Sequence, residues 1–172
     1  MGMDVYGKNP TSEVGEYFRR NVWGWHPLWN YVETVHPEIA ELVEHAHSND
    51  GDGLGASKSK ELAQLLMDDF NSGKVAEYVA ERNRQIAEME MPECKWCEAT
   101  GIRSDEIGTQ NGMPEKELDA DIAIIVGRKK GWCNACNGVG KTEPWEANYY
   151  LEPDDVKEFA EFLQDCGGFE IC

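Results

Sequence analysis

The clearest chemistry in this chain lies in two cysteine pairs, Cys94-Lys-Trp-Cys97 and Cys133-Asn-Ala-Cys136. A two-residue gap lets both sulfurs of a pair reach one metal ion about 2.3 Å away, and four thiolates complete a tetrahedral site for Zn2+. Gly101 follows the first pair, and Gly138 and Gly140 follow the second. Glycine opens the backbone conformations that such turns require. A redox pair would open a helix after a strand, where the helix dipole lowers the first thiol's pKa; these pairs run into glycine turns instead. A catalytic zinc keeps one position open, whereas four cysteines close the site. The sequence therefore predicts one structural Zn2+ on Cys94, Cys97, Cys133 and Cys136, with Cys166 and Cys172 as free thiols.

Three further groups have residue types suited to binding. Asp50, Asp52, Gly55 and Glu61 fall at positions 1, 3, 6 and 12 of a calcium-loop pattern, although Leu54 stands where an oxygen ligand belongs. Asp50, Asp52 and Glu61 are the calcium candidates, weighed against a glycine-rich connection between helices. His36, Glu41, His45 and His47 are metal-ligand types, weighed against surface or half-buried histidines. Arg128, Lys129 and Lys130, directly before Trp132, form the densest basic patch and a candidate partner-binding site. The competing reading is complementation of a helix C-terminus by three exposed charges. No catalytic residue is assigned: there is no nucleophile elbow, P-loop or dinucleotide fingerprint, and Asp119 and Asp121 lie two apart on a helix and do not face each other.

The elements that must position these groups are mostly helical. Residues 1–91 read as an aromatic-rich helical domain. Pro27 suits the first turn of a helix carrying Trp25, Leu28, Trp29 and Val32 at helical spacing, and this spacing points Trp23, Trp25 and Trp29 to core packing, weighed against an aromatic binding platform. Pro37 opens a short second helix. Leu62, Leu65, Leu66 and Phe70 mark a helix over about 57–72, stopped by Gly73, and another runs over about 74–90. Residues 92–142 read as the zinc module with a helical insertion: a polar loop over 101–112, then a helix started by Pro114 with Leu118, Ile122, Ile125 and Val126 on its apolar face. Residues 143–172 read as an extended stretch, a helix near Asp154 capped by Asp155 with Glu158, and a tail or edge strand at Phe169-Glu-Ile-Cys172, packing on the rest. The expected fold is mainly α, with five or six helices, a small zinc-binding hairpin of four cysteines and one or two short strands.

The 172 residues carry 33 acidic against 16 basic side chains, a formal charge of −17. That field repels nucleic acid and anionic membranes. It suits a protein partner that is basic or itself binds nucleic acid. No apolar run approaches a membrane span or a signal segment, so the expected location is the cytoplasm. Oligomeric state is left open.

Cys133–Gly140 matches the C-x-x-C-x-G-x-G repeat of the DnaJ-type (Hsp40) cysteine-rich zinc domain, and Cys94–Gly101 resembles it with Ala99 in place of the first Gly. The resemblance covers about 47 of 172 residues, two repeats where the family has four, and implies a zinc hairpin with one ion. The family's His-Pro-Asp signature is absent. With its Met-Asp-Val-Tyr-Gly-Lys start, the chain also resembles uncharacterised small proteins of phage and bacterial genomes, which implies a host-cytoplasm setting if phage-encoded. Three functions are carried forward. The first is a non-enzymatic zinc-binding interaction module. The second is an acidic mimic of nucleic acid that inhibits a host defence enzyme. The third is an enzyme with an unrecognised site.

Overall fold

Alternation of apolar residues, rather than helical spacing, governs the first residues of the chain. Met3 and Val5 are buried between half-exposed neighbours, so Gly2–Gly7 forms strand β1. The computed structural model describes residues 2–172. Strand β2 (Tyr17–Asn21) pairs with β1 in antiparallel register, Val5 opposite Phe18, and strand β3 (Phe169–Ile171) pairs with its other edge, Val5 opposite Ile171. The order is β2-β1-β3. Of the two readings of the C-terminal residues, tail or edge strand, the structure shows the edge strand. The other two strands were not foreseen.

Among the described residues there are seven α-helices. Helix α1 (Val22–Val35) starts five residues before Pro27, not at it. Asn21 caps it by accepting from Gly24 N at 3.0 Å. Pro27 has no N–H to give to the Trp23 carbonyl one turn back. That carbonyl instead accepts from Tyr150 N at 3.2 Å, so an interior proline is tolerated because a distant segment takes over the freed acceptor. Helix α2 (Pro37–Ala40) is one turn. Helix α3 (Ala56–Ser72) ends at Gly73 in the left-handed conformation, and α4 (Lys74–Glu88) follows at once. The chain divides into two compact units, one of residues 1–87 with 148–172 and one of residues 88–147.

In the first unit, helix α7 (Pro153–Asp165) packs along α3. Its cap differs from expectation. Glu152 is the N-cap and Asp155 reaches back to the Glu152 N–H at 2.8 Å, while Glu158 pairs with Arg20. Phe159 is fully buried and meets Phe18 at 5.1 Å and Trp25 at 5.5 Å between ring centroids. Trp25 stacks on Trp29 at 5.8 Å, and its indole N–H donates to Ala46 O at 2.7 Å. Trp25 and Trp29 are thus core residues, while half-buried Trp23 meets the Tyr149 ring edge-on at 4.9 Å. A buried polar knot joins this core. Asp69 accepts from Tyr31 Oη at 2.9 Å, His36 Nε2 at 2.7 Å and Lys74 Nζ at 3.1 Å.

The second unit holds both cysteine pairs. Between them lie helix α5 (Glu106–Gln110), a 3₁₀ turn at Met113–Glu115 and helix α6 (Ala120–Val126). The expected polar loop thus contains a helical turn, capped by Asp105. The helix expected from Pro114 starts only at Ala120, capped by Asp119, whose carboxylate accepts from Asp121 N. Residues 117–118 pair with 129–130 instead, through Leu118 N to Lys129 O at 2.9 Å. Trp145–Asn148, read as extended from its aromatics, is a 3₁₀ turn.

Candidate metal centre

Each cysteine pair folds into a knuckle, and the two knuckles share one hydrogen-bond scheme. Gly101 N donates to Cys97 Sγ and Gly140 N donates to Cys136 Sγ, both at 3.2 Å and both four residues on. The way into each knuckle pairs with the way out of the other. Cys94 N donates to Gly140 O at 2.9 Å, and Arg103 N donates to Trp132 O at 3.1 Å. Both turns pass through the left-handed region: Glu98 and Ala99 at φ 50° and 64°, Asn137 and Gly138 at φ 50° and 87°. Ala99 thus adopts, at a strain of about 1 kcal/mol, the conformation that glycine takes in the second knuckle.

The crossing is tight. A methyl group at Gly101 would lie 2.2 Å from Gly138 O, and one at Gly140 would lie 2.2 Å from Ala99 O. Each knuckle's glycine sits against the other's backbone, which brings the sulfurs together. All four are buried, and their Sγ atoms lie within 4.8 Å of one another. Cys94 and Cys133 are 3.9 Å apart, Cys97 and Cys136 3.7 Å. These separations are far beyond a disulfide bond of about 2.05 Å. They match the edge of about 3.8 Å in a tetrahedron with metal–sulfur arms of about 2.3 Å. The residues fit a single divalent ion.

The electrostatics of the thiols agree with that use. Burial and the neighbouring Cys94 push the Cys97 thiol up to about 12, against the pull of the Gly101 N–H. Burial also raises Cys136. For Cys94, burial acts upward but is outweighed by hydrogen bonds from Trp96 N and the neighbouring thiols, and the net shift is down. The cluster by itself holds protons that a cation must displace, so its metal affinity must fall as pH falls. Arg103 braces the frame: buried, it grips Asp105 through Nε, donates to Asn134 Oδ1 at 2.9 Å, and lies 5.0 Å from the centre of the exposed Trp96 ring.

Asp50, Asp52 and Glu61 are engaged separately. Asp50 accepts from Ser48 Oγ, Glu61 pairs with Lys58, and Asp52 accepts from His45 N and Gly53 N. The loop's backbone runs along β3, with Ile171 N donating to Asp52 O and Phe169 N to Leu54 O, and Leu54 is buried in the core. His36 belongs to the Asp69 knot, and His47 meets His26 and Glu33. Of the basic patch, Arg128 turns inward, its Nη2 donating to Gly138 O at 2.6 Å. Lys130 lies 3.5 Å from Glu115, and Lys129 is exposed. Trp132 is half-buried with Lys116 Nζ 3.4 Å over its ring. Among the described residues, the four cysteines are the one group of three or more metal-ligand side chains whose ligand atoms converge.

Among the described residues, no helix is long and apolar enough to cross a membrane. Comparison of the chain with protein-family models, curated proteins and solved structures finds no match.

Proposed function

We propose that this chain is a non-enzymatic interaction protein in which one structural Zn2+, held by Cys94, Cys97, Cys133 and Cys136, rigidifies a protein-binding module. The observation that carries the proposal is the convergence of four buried sulfurs within 4.8 Å of one another, two of the pairs at tetrahedral-edge distance. A four-sulfur site is closed to water and substrate, so the ion would supply shape rather than Lewis-acid chemistry. Two basic groups beside it serve the same end: Arg103 and Arg128 donate to groups of the second knuckle. The proposal accords with the resemblance of the two motifs to DnaJ-type repeats.

Elemental analysis of the purified chain should find one zinc per molecule. Cys97→Ser together with a chelator should unfold residues 88–147, read by loss of amide protection, while residues 1–87 and 148–172 stay protected. A chain free of zinc, copper, iron and cobalt whose residues 88–147 nevertheless remain protected would overturn the structural-metal reading.

A further inference from the structure

We infer that His26 and His47 form a second, exchangeable metal site for a borderline divalent cation such as Zn2+, each binding through Nδ1, with Glu33 orienting His47. His26 and Glu33 stand two turns apart on one face of α1. His47 lies across from them, in the connection between α2 and α3. The Nδ1 atoms of the two histidines are 2.6 Å apart, and His47 Nε2 lies 3.1 Å from Glu33 Oε1. The ring centres are 4.7 Å apart, almost the Nδ1–Nδ1 distance plus the radii of the two rings, with 28° between their planes. The rings therefore meet edge to edge, one nitrogen aimed at the other.

Glu33 decides which nitrogen of His47 is free. A carboxylate only accepts, so His47 Nε2 carries the ring hydrogen and Nδ1 keeps its lone pair. That lone pair faces Nδ1 of His26. Two imidazole nitrogens so aimed are held together by a cation or by one hydrogen between them. In the closed pair the hydrogen sits on His26 Nδ1. Moving it to His26 Nε2 frees the second lone pair without changing the charge of the ring. A carboxylate behind a histidine whose other nitrogen binds the ion is the usual support of a metal-bound imidazole. Zinc–nitrogen arms of about 2.0 Å at a tetrahedral angle need nitrogens about 3.3 Å apart, so the rings must swing open by about 0.7 Å.

The backbone beside both histidines is fixed. The Trp25 indole, next to His26, donates to the Ala46 carbonyl, next to His47, at 2.7 Å within the core. The side chains stay open to solvent, His47 at 36% and Glu33 at 45%, which lets an ion and its water enter. The field favours a cation: between Asn21 and Ser57 the chain has six carboxylates and no Lys or Arg. Imidazole suits zinc, copper and nickel. Two nitrogens leave positions for water, so this site exchanges its ion and can take a further ligand, unlike the closed sulfur site.

Dialysis of the full chain against metal-free buffer should leave one zinc per molecule. Dialysis against about 50 µM Zn2+ should bring the content close to two, for a dissociation constant of about 10 µM. His26→Gln with His47→Gln should remove the second zinc at unchanged urea stability of the metal-free chain to within about 1 kcal/mol. Glu33→Ala keeps both nitrogens and should weaken the second zinc about tenfold. His45→Gln, at an exposed histidine two residues from His47, should leave it in place. Amide exchange over residues 45–48 should slow with zinc in the wild type and not in the double variant. No second zinc in the wild type, a second zinc retained by the double variant, or equal loss in the His45 variant each sinks the assignment, the last two marking zinc scattered over surface carboxylates. The difference in zinc between wild type and double variant reads the histidine site whether or not the four cysteines are loaded, so the two sites stand or fall separately.

Discussion

Adding one methyl group at Gly140 should weaken metal binding about a hundredfold. Gly140 sits at φ 89°, donates to Cys136 Sγ at 3.2 Å and accepts from Cys94 N at 2.9 Å. A left-handed backbone costs a residue with a Cβ about 1–2 kcal/mol. The new methyl would also lie 2.2 Å from Ala99 O, so the chain must shift by about 1 Å to reach ordinary van der Waals separation. That shift breaks or stretches one of the two hydrogen bonds, at about 1–3 kcal/mol for a buried group left without a partner. The sum is about 3 kcal/mol, which is about two decades in affinity where binding and folding of the module are coupled. Competition for Zn2+ against a chromogenic chelator measures it. Gly112→Ala supplies the control: Gly112 has φ 66°, and nothing lies within 4 Å of the added methyl. It should show the backbone strain alone, about tenfold or less. If Gly140→Ala fell within about threefold of Gly112→Ala, the crossing of the two knuckles would not be what sets the sulfur positions.

The converse change, Ala99→Gly, removes a left-handed alanine at φ 64° and should tighten zinc binding about twofold, the strain relieved being partly offset by the freer unfolded glycine; weaker binding would count against the strained assignment. At Asp69, burial acts to raise the carboxyl, but hydrogen bonds from Tyr31, Lys74 and His36 outweigh it and hold it below the usual carboxylate range. A carboxyl lowered on folding contributes stability above its unfolded pKa and loses it as pH falls through the folded value. Asp69→Asn should therefore cost about 1–3 kcal/mol at neutral pH and progressively less in acid, measured by urea unfolding followed through the buried Trp25 and Trp29. A penalty that grew on acidification would refute the assignment. Phe159→Ala, which opens the aromatic cluster of Phe18, Trp25 and Phe162, should cost about 3–5 kcal/mol in the same assay and leave the zinc content at one per chain.

Whether a feature was legible in the sequence follows from how local its cause is. The two knuckles are written in eight-residue segments, because a sulfur pair and its glycine turn close on themselves. The α3 helix is likewise carried by Leu62 and Leu66 at one-turn spacing, both buried. The sheet depends on pairing Val5 with Ile171, and no local pattern announces a partner so far along the chain. Pro27 misled for the same reason: its place inside α1 depends on the Tyr150 N–H, a donor far away in sequence. The Asp50–Glu61 spacing imitates a ligand loop, but Leu54, the residue that breaks the imitation, has a positive role as a core side chain next to β3. The Asp69 knot had no sequence signal, since Tyr31, His36 and Asp69 come from separate segments.

Helix α6 shows what a period leaves undetermined. Leu118, Ile122, Ile125 and Val126 have the spacing of one apolar face. The structure splits the set. Leu118 and Ile122 turn to the knuckle at Gly138, whose missing side chain is what makes room for them. Ile125 is left exposed, as is Ile124. Hydrophobic spacing reports that a surface is costly to leave in water; it does not say which molecule covers it. In a module whose apolar interior consists of little more than four cysteines and the residues beside them, there is no second layer to pack on the outer side of α6. The same scarcity of core that gives a metal ion on the four cysteines something to stabilise therefore also leaves an apolar face over.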